Sequence, residues 1–300
     1  MAKTMLEHTP RDLIIGIVMT LLGGVLWGMN ATVSKLLMAN YHASPLWIAC
    51  VRELCAGIIF IVCAAIMTPK QLTGIVRDRK SYPRLLAVAL ICVLLVQVSY
   101  LSAIDWTNSG TATVLQSLNL LFVLGFVCIR GRRLPGRREA VGVALAFVGT
   151  VLIATGGNLS TLKLPLIGLI WGLVDAASTA AMSIIPTKLI AKWGNFTVNG
   201  IAFLISGIVL LPVVRPWTTA PQLDWAGIGL MAFTVVGGTF GAFWLFMAGV
   251  MRVGSMRATM LGTSEPVMAT VSAVAWTGEV FTSTDLAGFA MILIMVFLVR

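Results

Sequence analysis

Ten apolar segments, each long enough to cross a bilayer, constrain this chain more than any other feature. A membrane-spanning helix needs about 20 consecutive, mostly apolar residues. Segments of this kind lie at residues 12–39, 45–68, 83–104, 110–130, 137–156, 165–187, 197–214, 225–250, 257–277 and 284–300. Because lipid satisfies no backbone hydrogen bonds, such segments must be helical. The sequence therefore predicts an all-α integral membrane protein with ten transmembrane helices.

The composition agrees with a lipid solvent. Hydrophobic residues make up 58% of the chain and charged residues only 11%, whereas a soluble domain carries about 25% charged residues. The net charge of +10 does not indicate nucleic acid, because the basic residues lie in short connections between apolar segments. We therefore expect the lipid bilayer as a partner and no binding of nucleic acid.

The basic residues predict the orientation of the chain. With the N-terminus in the cytoplasm, seventeen Lys and Arg residues fall on the inner side, from Lys3 to Arg300, and only Lys163 and Arg215 fall outside. Cytoplasmic connections carry such an excess of Lys and Arg. This bias predicts an inner or plasma membrane protein with both termini in the cytoplasm.

A weak internal repeat divides the chain into two halves, residues 1–156 and 157–300. A shift of 146 residues places Ala112-Thr113 on Ala258-Thr259, and a shift of 144 places Trp27-Gly28 on Trp171-Gly172. The charges do not repeat, since Arg132-Arg133 falls on Gly278-Glu279. Basic connections in one half thus match non-basic connections in the other. This is the pattern of two five-helix units inserted in opposite senses, which is common in secondary transporters.

Several short motifs resemble those of one transporter group. They are Leu26-Trp27-Gly28-Met29-Asn30 with Ser34-Lys35, Pro45 with Arg52, Ala258-Thr259-x-Leu261 with Ser264-Glu265-Pro266, and Gly278-Glu279. Together they resemble the drug/metabolite transporter superfamily, in particular its ten-helix EamA-type exporters. One departure is Leu118-Asn119-Leu120 in the first half, where a Glu-Pro pair would be expected.

The resemblance implies a fold and a class of activity. Transporters of this type export amino acids, other small metabolites or drugs, often by exchange or proton antiport. By similarity, helices 1, 3, 4, 6, 8 and 9 would line a central cavity between the two halves.

Five charged residues lie inside the apolar segments and away from their ends. A charge at the centre of such a helix costs roughly 2.5–3.5 kcal/mol on insertion scales. Glu265 lies near mid-membrane, and Pro266 removes the helical hydrogen-bond partner of the Gly262 carbonyl. We predict a free carbonyl acceptor beside a carboxylate there. Glu265 would be a proton-coupling or ammonium-binding group, or else a buried structural acid at a kink. Asp175 is a second candidate for the cavity.

The other three ionisable residues lie nearer the outer surface. For Lys35 and Glu53 the sequence favours an ion pair, with Arg52 extending outward to the interface. A gating role for the pair is the alternative.

Polar and aromatic residues on these helices complete the candidate site. Amides can orient a zwitterion, while aromatic faces stack on flat substrates or attract cations. The candidate substrate-binding residues are Trp27, Asn30, Ser34, Gln97, Tyr100, Gln116, Asn119, Trp171, Asp175, Ser178, Phe240, Trp244 and Glu265.

The leading functional hypothesis is a secondary active exporter of neutral or aromatic amino acids or related metabolites, working by alternating access with exchange or proton coupling. An uptake transporter for quaternary ammonium or other organic cations is the alternative. An intramembrane lipid-acting enzyme and a non-transporting sensor are more distant ones. We expect no cofactor and no metal, protons as a coupling ion, and a monomer or homodimer. The five cysteines are expected to be small buried apolar residues.

Overall fold

The computed structural model describes residues 10–158 and 162–299, except for the side chains of Pro10, Ser255, Met256 and Thr259. Lys3, His8 and Arg300 lie outside the described residues. The described part is helical and contains no strand. Its ten main helices are α1 (Pro10–Tyr41), α2 (Pro45–Met67), α3 (Arg79–Trp106), α4 (Ser109–Gly131), α5 (Arg137–Thr155), α6 (Leu166–Ile184), α7 (Asn195–Val214), α8 (Trp225–Val253), α9 (residues 255–277) and α10 (Ser283–Leu298). Two short helices, Pro69–Arg77 and Thr187–Trp193, precede α3 and α7.

Eight of the described helices, α1 to α8, are long and apolar enough to cross a membrane. The predicted all-α membrane fold is therefore confirmed. The number of helices long and apolar enough to span is eight among the described residues, below the predicted ten. The shortfall has a structural reason, because α9 is interrupted and α10 has only 16 residues. Both helices still occupy the positions at which the sequence predicts spans nine and ten.

Local sequence fixes where several helices begin. Ser44 precedes Pro45 and caps α2, because its hydroxyl accepts from the Trp47 amide at 3.2 Å. Asn108 caps α4 by accepting from the Thr111 amide at 2.8 Å. Such side-chain acceptors satisfy amides that a helix leaves unpaired at its start. These polar caps separate apolar segments that would otherwise continue.

The helices pack in a pattern that repeats when the two halves are exchanged. Helix α2 packs on α7, and α5 packs on α10. Helix α1 packs on α8 and α9, while the equivalent helix of the second half, α6, packs on α3 and α4. Exchanging α1–α5 with α6–α10 leaves this set of pairs unchanged. The fold is thus built from two equivalent five-helix units.

Departures from regular helix also recur in both units. Helix α4 is interrupted at Ser117–Leu118, and α9 at Gly262–Thr263. Helices α3 and α8 each contain π-helical turns, at Val88–Leu94 and Phe233–Gly241. Such turns are frequent at functional sites. The repeat that is weak in residue identity is therefore clear in backbone geometry.

The two glycines of the repeated Trp-Gly motif lie at close contacts between helices. A Cβ on Gly28 of α1 would meet the backbone of α9 at Glu265 and Ala269. A Cβ on Gly172 of α6 would meet Leu115 of α4 at 2.8 Å. Small residues of this kind let membrane helices approach closely. The motif thus brings α1 and α6 against the two interrupted helices.

The surface carries apolar residues that a soluble protein would bury. Ile66, Ile129 and Val213 are 76%, 81% and 69% exposed. Exposed apolar surface on this scale needs a lipid solvent. All five cysteines are free. Cys55 is exposed on this surface and Cys63 is only partly buried, so the prediction that every cysteine is buried is wrong for these two residues.

Candidate functional site

A cavity of about 120 Å³ lies between the two interrupted helices. It has room for several water molecules, since one needs roughly 10–15 Å³. Helix α4 contributes the lining residues Thr113, Gln116, Ser117, Asn119 and Leu120. Helix α9 contributes Gly262 and Thr263 at its break and Glu265 and Pro266 just after it, and α10 contributes Val296. The cavity thus joins equivalent segments of the two halves.

Glu265 is the acidic residue of this cavity. Its side chain is partly exposed and makes no hydrogen bond or ion pair with another described residue. The expectation of a free carbonyl beside it is wrong, because the Gly262 carbonyl accepts from the Glu265 amide at 3.0 Å. The chain tightens by one residue at the break, and this bond replaces the one that Pro266 cannot make. The carboxylate is left as the available polar group.

Asn119 occupies the position in α4 that corresponds to Glu265 at the shift of 146 residues. Its amide nitrogen donates to the Gln116 carbonyl at 2.9 Å. The side chain of Asn119 thus supplies a hydrogen bond to the backbone at the break in α4. The cavity is therefore chemically asymmetric. One half contributes an amide and the other a carboxylate.

A second acid lies behind the cavity. Asp175 of α6 is fully buried, and its Oδ2 atom has no partner. The side chains of Gln116, Ser99 and Thr179 face its carboxyl group. Tyr100 of α3 donates to or accepts from the Thr113 hydroxyl at 2.8 Å. Five of the candidate residues are thereby brought into one polar region: Tyr100, Gln116, Asn119, Asp175 and Glu265.

Arg52 and Glu53 form a polar cluster that differs from the one predicted. Arg52 is only 3% exposed and donates to Gln97, so it does not extend to the interface. Glu53 is fully buried and accepts from the Ser206 hydroxyl at 2.5 Å. Arg52, Asp175 and Glu265 all lie close enough to the Tyr100 hydroxyl to interact with it electrostatically. Arg52 is thus a neighbour of the polar region, a role that the sequence did not predict.

Lys35 does not pair with Glu53, and that prediction is wrong. Its ammonium group donates to the carbonyls of Ile104, Asp105 and Thr107 at 3.0, 2.8 and 3.1 Å. These carbonyls lie at the C-terminal end of α3, where a helix leaves acceptors unpaired. A cation is favourable at this end of a helix dipole. Lys35 therefore ties α1 to α3.

A buried hydroxyl cluster joins α1, α4 and α9, and the sequence analysis missed it. Thr32 contacts the hydroxyl of Ser109 at 2.8 Å and that of Ser272 at 2.6 Å. All three side chains are at most 1% exposed. Single hydroxyl residues are common in membrane helices, so only the helix arrangement could reveal this cluster.

The other predicted site residues do not line the cavity between α4 and α9. Trp27 packs on Phe246 with ring centroids 4.9 Å apart, and Phe240 packs on Phe60 at 5.2 Å. Trp244 is 45% exposed. Asn30 is buried beside Gly238, and Trp171 packs against the apolar core around α3. Ser34 and Ser178 donate to carbonyls of their own helices. Their roles in binding stay predictions.

Comparison with known proteins identifies similar chains. The model of the EamA-like transporter family matches residues 14–155 and again 166–300. The uncharacterized inner membrane transporter YicL of Salmonella typhimurium is 29% identical over 284 residues, which cover 95% of this chain and 94% of YicL. The uncharacterized transporter YwfM of Bacillus subtilis is 23% identical, covering 91% of this chain and 90% of YwfM.

A solved crystal structure has the same fold. Its TM-score is 0.64 with 14% sequence identity, and the match covers 94% of this chain and 95% of the other. At that identity the likeness concerns the fold alone. The two family matches fall on the two equivalent five-helix units.

Proposed function

Because this chain belongs to the EamA-like transporter family, we propose that it is a secondary active transporter that exports small zwitterionic metabolites, foremost neutral and aromatic amino acids. Family membership and the names of the relatives indicate a transporter rather than an enzyme. Substrate would bind between the two halves and reach either side by alternating access, with both chain ends in the cytoplasm.

The observation that carries the substrate proposal is the distribution of charge around the cavity. Glu265 lines it and Asp175 lies behind it, so a substrate ammonium group would find two carboxyl groups there, and its positive charge would favour their ionised form. Arg52 also interacts electrostatically with the Tyr100 hydroxyl, and its Nε atom is buried and unpartnered. A guanidinium group is suited to binding a carboxylate. Both ends of a zwitterion would thus have a partner of opposite charge.

The alternative of organic cation uptake receives less support from the arrangement. An ammonium cage needs aromatic rings that converge on one point. Trp27 and Phe240 are instead packed on other rings, and Trp244 is 45% exposed. The carboxylates remain available to a cation, so the two substrate classes must be separated by experiment.

Exchange in proteoliposomes tests the proposal. Vesicles loaded with labelled tyrosine, tyramine or choline are each diluted into buffer that contains the same compound unlabelled. We expect tyrosine to exchange at least tenfold faster than tyramine, which lacks the carboxylate, and choline not to exchange. Exchange of choline alone would contradict the proposal, as would the absence of exchange for every neutral amino acid tested.

Substitution of Arg52 tests its part in recognition. In Arg52→Gln we expect the preference for tyrosine over tyramine to fall at least tenfold, because the partner of the carboxylate is lost. Arg52→Lys should retain part of the preference, since it keeps the charge. Thermal unfolding of each purified variant controls for loss of structure, because truncating a buried charged group is destabilising. An unchanged preference in folded Arg52→Gln would exclude Arg52 from substrate recognition.

A further inference from the structure

An apolar groove of about 240 Å³ lies on the lipid-facing side of the protein, away from the cavity. It is formed where the short helix Pro69–Arg77, the start of α3 and α7 meet. Its lining residues are Ile75, Val76, Tyr82, Leu85, Leu86, Ile201 and Ile205. Several of them are open to the surface, with Val76 60% and Leu86 47% exposed. A groove of this composition can hold a hydrocarbon chain.

The groove has a fixed shape because its borders are tied together. The Tyr82 hydroxyl donates to the Val76 carbonyl at 2.5 Å, which holds the start of α3 against the short helix. The Trp193 indole donates to the Ser81 hydroxyl at 3.1 Å. A Cβ on Gly74 would meet the ring of Trp193, so the short helix and the second half are in close contact. The groove is thus a formed feature of the fold.

Four cationic side chains lie next to the groove residues in the sequence. Arg77 ends the short helix, Arg79 and Lys80 follow it, and Arg84 lies in the first turns of α3. All four are exposed. The three ion pairs found among the described residues involve none of them. They therefore present uncompensated positive charge beside an apolar surface.

The acidic residue of this segment does not neutralise these cations. Asp78 accepts from Lys192 at 2.5 Å and from the Ser81 hydroxyl at 2.9 Å. The hydrogen bond from Lys192 holds the pKa of the Asp78 carboxyl below its usual range. Asp78 is therefore ionised and forms an ion pair with Lys192 from the other half of the chain.

We propose that this groove and its four cations form a binding site for an anionic diacyl phospholipid. One acyl chain would lie along Val76, Leu85 and Leu86, and the phosphate would contact Arg77, Arg79, Lys80 and Arg84. Clusters of four or more Lys and Arg beside a membrane helix attract anionic headgroups, and basic pockets between helices bind them. The site bridges the two halves, because α7 and Trp193 belong to the second half and the cations to the first.

Native mass spectrometry of the detergent-purified full chain tests this site. Dioleoylphosphatidylglycerol and dioleoylphosphatidylcholine are titrated separately, and retained lipids are counted. We expect one phosphatidylglycerol to be retained at least tenfold more strongly than phosphatidylcholine. In the variant with Arg77, Arg79, Lys80 and Arg84 all changed to Gln, that preference should disappear.

Two further variants separate this site from general charge. The matched control changes Arg130, Arg132, Arg137 and Arg138 to Gln, which removes the same charge from exposed residues at the end of α4, the start of α5 and the connection between them. It should keep the preference. Leu86→Trp, which fills the groove without changing the charge, should weaken retention at least fivefold. Equal retention of both lipids by the wild type, or an equal loss in the control variant, would overturn the proposal.

Discussion

Replacement of Glu265 by Gln is expected to reduce proton-driven export by at least tenfold while the protein remains folded. Gln has the shape of Glu but cannot take up or release a proton. Glu265 lines the cavity and its carboxylate has no partner among the described residues, so the substitution breaks no internal ion pair. The measurement is the efflux of labelled substrate from proteoliposomes with and without an imposed pH gradient.

The form of the defect distinguishes two roles for this carboxylate. If Glu265 carries the proton, exchange of substrate persists in Glu265→Gln and loses its dependence on the pH gradient. If it binds the substrate ammonium group, exchange falls together with net efflux. Glu279→Gln, in the connection between α9 and α10, is the matched control and should behave like the wild type. Gradient-driven export that is unchanged in Glu265→Gln would remove this residue from both roles.

Replacement of Gly28 by Ala is expected to be the most damaging single-methyl substitution in α1. The added methyl group would meet backbone atoms of α9 at Glu265 and Ala269, and backbone cannot move aside as a flexible side chain can. Overpacking of this kind costs about 1–3 kcal/mol. We expect a fall in apparent Tm of roughly 5 °C and at least a tenfold loss of transport.

A glycine in open surroundings supplies the control. Gly125 of α4 has no neighbour within 4 Å of an added Cβ, and alanine is the better helix former by roughly 0.5–1 kcal/mol. Gly125→Ala should therefore leave both Tm and transport unchanged or slightly raised. An equal response of the two variants would show that the contact between α1 and α9 does not limit stability or function.

The sequence predicts the fold well because apolar segments of this length must lie in lipid, whereas the basic connections between them must lie in water. The Trp-Gly motif and the alignment at a shift of 146 residues identify the equivalent helices, and the packing of α1 on α9 and of α6 on α4 follows that equivalence. Pro266 predicts a kink in α9, close to the observed interruption at Gly262–Thr263. The interruption of α4 at Ser117–Leu118 is not predicted, since no proline lies there.

The site is less predictable from sequence because it depends on which faces of the helices meet. Glu265, Asp175, Gln116 and Asn119 could be selected, since polar groups are costly within lipid. The side chains and carbonyls that the polar residues contact could not be predicted. Lys35 binds the end of α3 rather than Glu53, because rotation of α1 about its axis decides which carbonyls it reaches. The hydroxyl cluster around Thr32 likewise depends on three helices meeting.

The central claim, that the two five-helix units are inserted in opposite senses, is tested by labelling one matched pair of positions. Leu134, between α4 and α5, and Val280, between α9 and α10, are 146 residues apart and each 87% exposed. Each is changed to Cys in a variant lacking the native cysteines, and intact cells are treated with a membrane-impermeant maleimide. The account predicts that Val280→Cys is labelled in intact cells and Leu134→Cys only after permeabilisation. Labelling of both positions from the same side would contradict it.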